Sequence, residues 1–149
     1  MEEMRIIDVE MDTENFEKIV EVRYKTLRQP LGMEYQTAYN NKDEGSIHLA
    51  CVKWDPQKQE EQVIGVVSMH PLNKNEIQLF QMASLVPKKG IGRLLWESFE
   101  KKARKMGYTT VIAHARCVAL DFYIKLGFTV FGEQFTEVGI PHRNVSYEL

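Results

Sequence analysis

The chain has 149 residues, of which 44% are hydrophobic and 27% are charged. This composition is typical of a folded globular protein and excludes an intrinsically disordered chain. The formal net charge of −2 is far from the basic charge that nucleic-acid-binding domains usually carry. We therefore expect a single domain over residues 1–149 that has no nucleic-acid partner.

The sequence contains no segment that favours a membrane or an oxidising compartment. No stretch approaches the ~18–20 apolar residues of a transmembrane helix, and the acidic N-terminus lacks the apolar run of a secretion signal. Cys51 and Cys117 lie in apolar or strand-like surroundings, which favours free thiols over a disulfide. We expect a cytoplasmic protein that does not bind membranes.

The first half of the chain predicts a strand, a helix and then three consecutive strands. Residues 4–9 are β-like, and apolar residues at helical spacing follow a cap at Asp12 or Thr13 and end before Pro30. Residues 34–41 favour one or two further helical turns. Turn residues then separate three strand-like runs, at 47–54, 63–70 and 76–85.

The second half predicts two helices that alternate with strands. A helix runs from Gly90 to about Met106, because an apolar stripe ends at Gly107, a favourable residue after a helix C-terminus. The remaining runs predict a strand, a short helix and two strands, at 109–115, 118–126, 128–131 and 145–148. The predicted fold is a mixed α/β sheet with helices.

The turn before the helix at Gly90 predicts an anion site. It reads Lys88-Lys89-Gly90-Ile91-Gly92-Arg93, and a helix N-terminus presents unpaired N–H groups and a positive dipole end to a phosphate. The dinucleotide fingerprint and the ATP-type loop are both excluded, since their third glycine and their Gly-Lys-Ser/Thr are absent. The alternative is that the two glycines mark only a connection.

Positive charge at the end of the same helix, in residues 101–105, has two interpretations. Basic residues at a helix C-terminus complement the helix dipole, and this is sufficient to explain them. The alternative is a patch that binds RNA or a membrane.

Three segments in the right order resemble the GNAT superfamily of N-acetyltransferases, and within it the ElaA-like branch. Gly90-Ile91-Gly92 is similar to the end of the family's pyrophosphate loop. Phe122-Tyr123-Ile124-Lys125-Leu126-Gly127-Phe128 is similar to the family's Phe-Tyr-x-Lys-x-Gly-Phe helix. Gly139-Ile140-Pro141-His142 is similar to the branch's Gly-Ile-Pro-His signature.

The resemblance implies a fold, a co-substrate and a reaction. The fold would be a mostly antiparallel sheet that splays in its middle, with helices on both faces. The reaction would transfer an acetyl group from acetyl-CoA, without a metal, to a primary amine of a small molecule or peptide. Pro87 stands where the family has Gln or Arg, which removes one N–H donor. The implied cofactor-binding residues are Met82, Ala83, Ser84, Lys88, Lys89, Gly90, Ile91, Gly92, Arg93, Leu94 and Phe122.

The resemblance also implies catalytic residues. Tyr123 is the expected general acid, since a phenol can deliver a proton to the leaving thiolate. The alternative is that Tyr123 packs in the core with its hydroxyl bonded to the backbone. The general base is either Glu76, acting through a water, or His142. We expect His48, His70 and His114 to be structural or exposed, and Cys117 as a nucleophile is a minor alternative.

The amine acceptor is expected to contact two segments, residues 23–35, which join the first helix to the next, and a loop at residues 134–143. Arg23 and Arg28 are candidates to pair with an anionic group, although arginines on a helix are usually solvated. An edge strand at 145–148 suggests a homodimer. The alternative function is a CoA-binding module with little or no turnover.

Overall fold

The computed structural model describes residues 3–149 and contains a seven-stranded sheet. The order across the sheet is β1-β2-β3-β4-β5-β7-β6, and every neighbouring pair is antiparallel except β4 and β5. This confirms the predicted mixed, mostly antiparallel fold. The strands are β1 (Met4–Val9), β2 (Ile47–Asp55), β3 (Glu60–Pro71), β4 (Glu76–Ser84), β5 (Thr110–Arg116), β6 (Thr129–Glu137) and β7 (Ile140–Glu148).

Helices cover both faces of the sheet. They are α1 (Glu14–Arg23), α2 (Ile91–Lys105) and α3 (Leu120–Leu126). Alternate residues of β2 enter different cores, as the period of a strand requires: Ala50 and Val52 pack with α1, whereas Leu49 and Cys51 pack with α2. The sheet therefore separates two apolar layers.

The N-terminus of α1 follows the sequence prediction, and its C-terminus does not. Thr13 caps the helix by accepting a hydrogen bond from the Phe16 N–H at 3.2 Å. After Arg23 the chain continues as a π-helical segment, Tyr24–Arg28, and a 3₁₀ turn, Gln29–Leu31. A second 3₁₀ turn, Tyr35–Ala38, follows.

The sheet splays between β4 and β5. The two strands pair from Glu76 and Thr110 to Leu79 and Ala113, and pairing stops there. Gln81 has a φ of +53°, and the register of β4 against β3 shifts at this point, as in a β-bulge. The end of β4 thus bends away from β5 and leaves backbone groups without a strand partner on that side, as predicted.

The C-terminal strand corrects two expectations. Residues 145–148 are not an edge, because β7 lies between β5 and β6, and the edge strands are β1 and β6. Residues 134–143 form most of a hairpin rather than a loop, with a tight turn at Val138 and Gly139. Within residues 3–149, none of the helices has the length and hydropathy needed to cross a bilayer.

Candidate active site

Two cavities meet where the sheet splays. The larger, of about 450 Å³, lies between the end of β4 and the starts of α2 and α3. The smaller, of about 150 Å³, lies between β4, β5 and the β6–β7 hairpin. Met82, Ala119 and Tyr123 line both cavities. A long ligand in the larger cavity can therefore reach a second ligand in the smaller one.

The larger cavity ends at the N-terminus of α2. Gly90 precedes this helix with a φ of +76° and no side chain caps it. The N–H of Leu94 bonds to the Gly90 carbonyl, so the N–H groups of Ile91, Gly92 and Arg93 have no acceptor within the helix. These groups and the exposed side chain of Lys88 form a favourable environment for phosphate.

The predicted cofactor-binding residues all line the larger cavity except Lys89 and Leu94. Leu94 instead packs against the core beneath α2. Lys125 and Leu126 also line the cavity, and sequence reasoning did not propose them. Both residues lie on α3 shortly after Phe122 and Tyr123, so the family resemblance of that motif could have indicated them.

Two glycines bring α2 close to its neighbours. A Cβ at Gly65 on β3 would lie 2.4 Å from Ile91 Cγ2, so glycine is required for the helix to pack at this distance. A Cβ at Gly92 would lie 2.9 Å from Cζ of Phe122. The absence of a side chain at Gly92 thus accommodates an aromatic ring of α3 as well as leaving the helix N-terminus open.

Tyr123 lies at the junction of the cavities. Its ring is 7% exposed and packs against Phe122 and Phe128, each with a centroid distance of 5.3 Å. Among residues 3–149, no group forms a hydrogen bond with its hydroxyl, and the hydroxyl oxygen is not fully enclosed. Burial raises the pKa of Tyr123 to about 12, because desolvation disfavours the phenolate. The side chain is thus a core residue whose hydroxyl is unbonded.

Glu137 connects two histidines at the smaller cavity. Its Oε1 is 2.9 Å from Nδ1 of His114, and its Oε2 is 3.6 Å from Nε2 of His142. His142 is buried and donates from Nδ1 to the Ile140 carbonyl at 2.9 Å, which leaves the lone pair of the neutral ring on Nε2. All three side chains line the cavity.

The sequence placed Glu137 in the expected acceptor segment 134–143 without assigning it a role, and it predicted His114 to be structural or exposed, which agrees with its exposed side chain. His114 lies on β5 between Ala113 and Ala115, which are both buried, so strand alternation places it on the opposite face. That alternation was visible in the sequence. The position of Glu137 was not, because it depends on the pairing of β6 with β7.

The structure does not bring Glu76 to this site. It lies at the first residue of β4, about 20 Å along the strand from Met82 at about 3.3 Å per residue. Its carboxylate accepts a hydrogen bond from Asn73 Nδ2 at 2.8 Å. The bulge at Gln81 also breaks the regular alternation that would place residues 76 and 82 on one face.

Arg23 is a structural residue rather than a candidate for substrate binding. It is fully buried and forms a bidentate ion pair with Asp43, at 2.8 and 2.9 Å. It also donates to Ser68 and to the Ala38 carbonyl. Arg28, in contrast, lines the smaller cavity together with Arg116.

Other reactive side chains lie outside the cavities. His48 is buried and bonds to Ser68, and His70 bonds to Ser46, in agreement with structural roles. Cys51 and Cys117 are free thiols. Within residues 3–149, no group of three or more His, Cys, Asp and Glu side chains is arranged to hold a metal ion.

An open strand edge beside an uncapped helix N-terminus can hold an extended chain that carries phosphate at one end. The family model described as the acetyltransferase (GNAT) domain matches residues 32–149. The chain therefore belongs to the GNAT acetyltransferase family.

A bacterial relative matches part of the chain. An uncharacterized protein of Bacillus subtilis, YyaT, is 32% identical over 62 residues, which is 42% of this chain and 42% of YyaT. The aligned part thus spans less than half of the relative.

Three crystal structures share the fold. A proposed N-acetyltransferase from Lactobacillus plantarum has a TM-score of 0.84 at 19% identity and covers 98% of both chains. Escherichia coli ElaA has a TM-score of 0.76 at 15% identity, over 98% of this chain and 99% of ElaA. A GNAT family acetyltransferase from Elizabethkingia anophelis with acetyl-CoA bound has a TM-score of 0.69 at 15% identity, over 98% of both chains.

Proposed function

We propose that this protein is an acetyl-CoA-dependent N-acetyltransferase that transfers the acetyl group directly to a primary amine of a small molecule or peptide. The observation that carries the proposal is the continuity of the two cavities at Met82, Ala119 and Tyr123. A thioester at this junction would face an amine in the smaller cavity while the rest of the coenzyme occupied the larger one.

The larger cavity fits acetyl-CoA in shape and in chemistry. The pantetheine arm is a chain of amides, and it would pair with the free edge of β4 at Met82 and Ser84 as an added strand. The pyrophosphate would bind the free N–H groups at the start of α2, with Lys88 and Lys125 as nearby charges. A GNAT relative holds acetyl-CoA, which supports the same use here.

The reaction needs a neutral amine, and the Glu137–His142 pair would supply the base. The Nε2 lone pair of His142 would accept a proton from the ammonium group, and Glu137 would stabilise the imidazolium that forms. The two groups are 3.6 Å apart and line the same cavity. We therefore assign the base to His142, supported by Glu137, rather than to Glu76.

Tyr123 would act as the general acid. The amine nitrogen attacks the thioester carbonyl, the C–N bond forms, and the C–S bond breaks as the hydroxyl of Tyr123 gives its proton to sulfur. The acylated nitrogen loses its extra proton to the Tyr123 phenolate through solvent, which restores the acid, and His142 releases the proton it took from the ammonium group to bulk solvent. Burial raises the pKa of Tyr123 to about 12. The same burial disfavours the charged thiolate of the leaving coenzyme. The difference in pKa between the phenol and the thiol is therefore smaller than the value for Tyr123 alone suggests.

A second candidate function, a CoA-binding module with little turnover, is favoured by the burial of Tyr123, which raises the pKa of its hydroxyl to about 12 and weakens it as an acid. Pro87 lines the larger cavity and offers no N–H to a phosphate, which would lower coenzyme affinity in either function. The two functions differ in whether coenzyme thiol appears when an amine is added.

Two measurements test the proposed function. Calorimetry should detect binding of acetyl-CoA that weakens for dephospho-CoA and is much weaker for ATP. A panel of primary amines should then yield amine-dependent release of CoA thiol, which Tyr123→Phe slows without loss of acetyl-CoA binding. Binding without thiol release from any amine would favour the module, and absence of binding would exclude both functions.

A further inference from the structure

The cavity for the acceptor contains more positive than negative charge. Arg28 and Arg116 line it, and Glu137 is the one carboxylate among its lining residues. That carboxylate is already engaged by His114 at 2.9 Å. Burial lowers the pKa of both arginines, the charge of Arg116 lowers the pKa of Arg28 further, and Glu137 offsets only part of these shifts. An anion between the two guanidinium groups would relieve this repulsion.

Backbone carbonyls hold both guanidinium groups in place. Arg28 donates from Nε to the Thr37 carbonyl and from Nη1 to the Leu27 carbonyl, both at 3.2 Å. Arg116 donates from Nη2 to the same Leu27 carbonyl at 2.6 Å. A guanidinium group has five N–H donors, so each side chain keeps several that are free to bind a ligand.

Gln81 supplies an independent indication of a polar ligand. Both atoms of its amide, Nε2 and Oε1, are buried, and neither has a partner within residues 3–149. The residue lies in the bulge of β4 and lines the acceptor cavity. Buried amides are rarely left unbonded in proteins, so this side chain is suited to bind a polar group of the acceptor.

We infer that the acceptor is a small amine that also carries a carboxylate, which Arg28 and Arg116 bind while the amine faces Glu137 and His142. This inference rests on the proposed function and specifies its substrate class. Planar guanidinium groups recognise carboxylates through paired hydrogen bonds. Polycations such as polyamines are disfavoured, because two fixed guanidinium charges would repel them.

The experiment compares amino acids with amines that lack only the carboxylate. The pairs are L-phenylalanine and phenethylamine, β-alanine and ethylamine, and L-lysine and cadaverine. For the pair that the enzyme uses best, we expect kcat/KM to be at least tenfold higher for the amino acid. Arg28→Gln and Arg116→Gln should each lower this ratio at least tenfold.

Arg143→Gln is the matched control. Arg143 lies on β7, next to the site, and donates to the Gly132 carbonyl at 2.7 Å, but it does not line the cavity. The ratio should therefore be retained in this variant. Equal or better use of the decarboxylated amines would overturn the inference and leave the proposed function intact.

A binding measurement distinguishes failure of the proposed function from failure of the inference about the carboxylate. In the presence of CoA, the wild-type protein should bind N-acetyl-L-phenylalanine at least tenfold more tightly than N-acetylphenethylamine, and both arginine variants should lose this difference. If no amine releases CoA thiol, the proposed function fails, and this comparison alone decides whether a carboxylate site exists.

Discussion

Gly65→Ala should weaken acetyl-CoA binding although Gly65 lines neither cavity. The new Cβ would lie 2.4 Å from Ile91 Cγ2, and ordinary contacts begin at 3.4 Å. Ile91 is 2% exposed, and its Cγ2 is bonded directly to Cβ, so this atom can move away only through a change of χ1 that a helix disfavours for a β-branched residue. The start of α2 must therefore move by about 1 Å, at a cost of about 1–3 kcal/mol for overpacking.

A displacement of this size moves the free N–H groups of Ile91, Gly92 and Arg93 away from a bound phosphate. Loss of one hydrogen bond to a charged group costs about 1.5–3 kcal/mol, so calorimetry should give a Kd for acetyl-CoA at least about tenfold higher. Urea denaturation should show the loss of stability in the same variant.

The control is Val52→Ala, which removes buried methyl groups on the other face of the sheet, beneath α1. It should destabilise the fold and retain the affinity for acetyl-CoA. Ile91→Ala removes the clashing atom, so the double variant with Gly65→Ala should be more stable than the two single effects predict together. Additive stability effects, or an unchanged Kd in Gly65→Ala, would refute the reasoning.

Three further predictions concern the acceptor side of the site. Tyr123→Phe should lower kcat about 10²-fold or more. In the wild-type enzyme, ionisation of Tyr123 should not reduce the rate up to about pH 10, where free tyrosine is half ionised, because burial raises its pKa to about 12. A tyrosine-dependent decline near pH 9 in the rate profile would contradict this. Glu137→Gln should lower kcat in steady-state assays, since the carboxamide cannot stabilise an imidazolium. Glu76→Gln should have a near-normal rate. The reverse pattern would identify Glu76 as the base. Val138 has a φ of +47° in the hairpin turn, which is strained for a β-branched residue. Val138→Asn should therefore stabilise the fold by about 1 kcal/mol in urea denaturation. The same variant should raise the KM for the amine, because Val138 lines the smaller cavity. Unchanged stability would show that the turn is unstrained.

Local sequence patterns were sufficient to predict most helices and strands and the residues that line the larger cavity at the start of α2. Thr13 as a cap and the start of α2 at Gly90 depend on neighbouring residues, and the structure agrees with both. The turn that we propose to bind phosphate is local for the same reason, because helix N–H groups and glycine flexibility come from adjacent positions.

The acceptor side depends on contacts between residues that are distant in sequence. Arg23 is buried because it meets Asp43, 20 positions later. Glu137 reaches His114 across 23 positions, through two strand pairings. A single sequence contains no signal for the contact of Arg23 with Asp43 or for the register of β6 against β7. Arg23 was therefore misread as a candidate for substrate binding, and Glu137 was not singled out.

The sequence by itself indicated most of the helices and strands and the uncapped helix N-terminus that follows Gly90. Only the tertiary structure decided that β7 lies inside the sheet and that a bulge at Gln81 separates β4 from β5. It also decided which charged residues line the smaller cavity. The physical reason is that backbone propensity is set by neighbours along the chain, whereas burial and ion pairing are set by strand order and register.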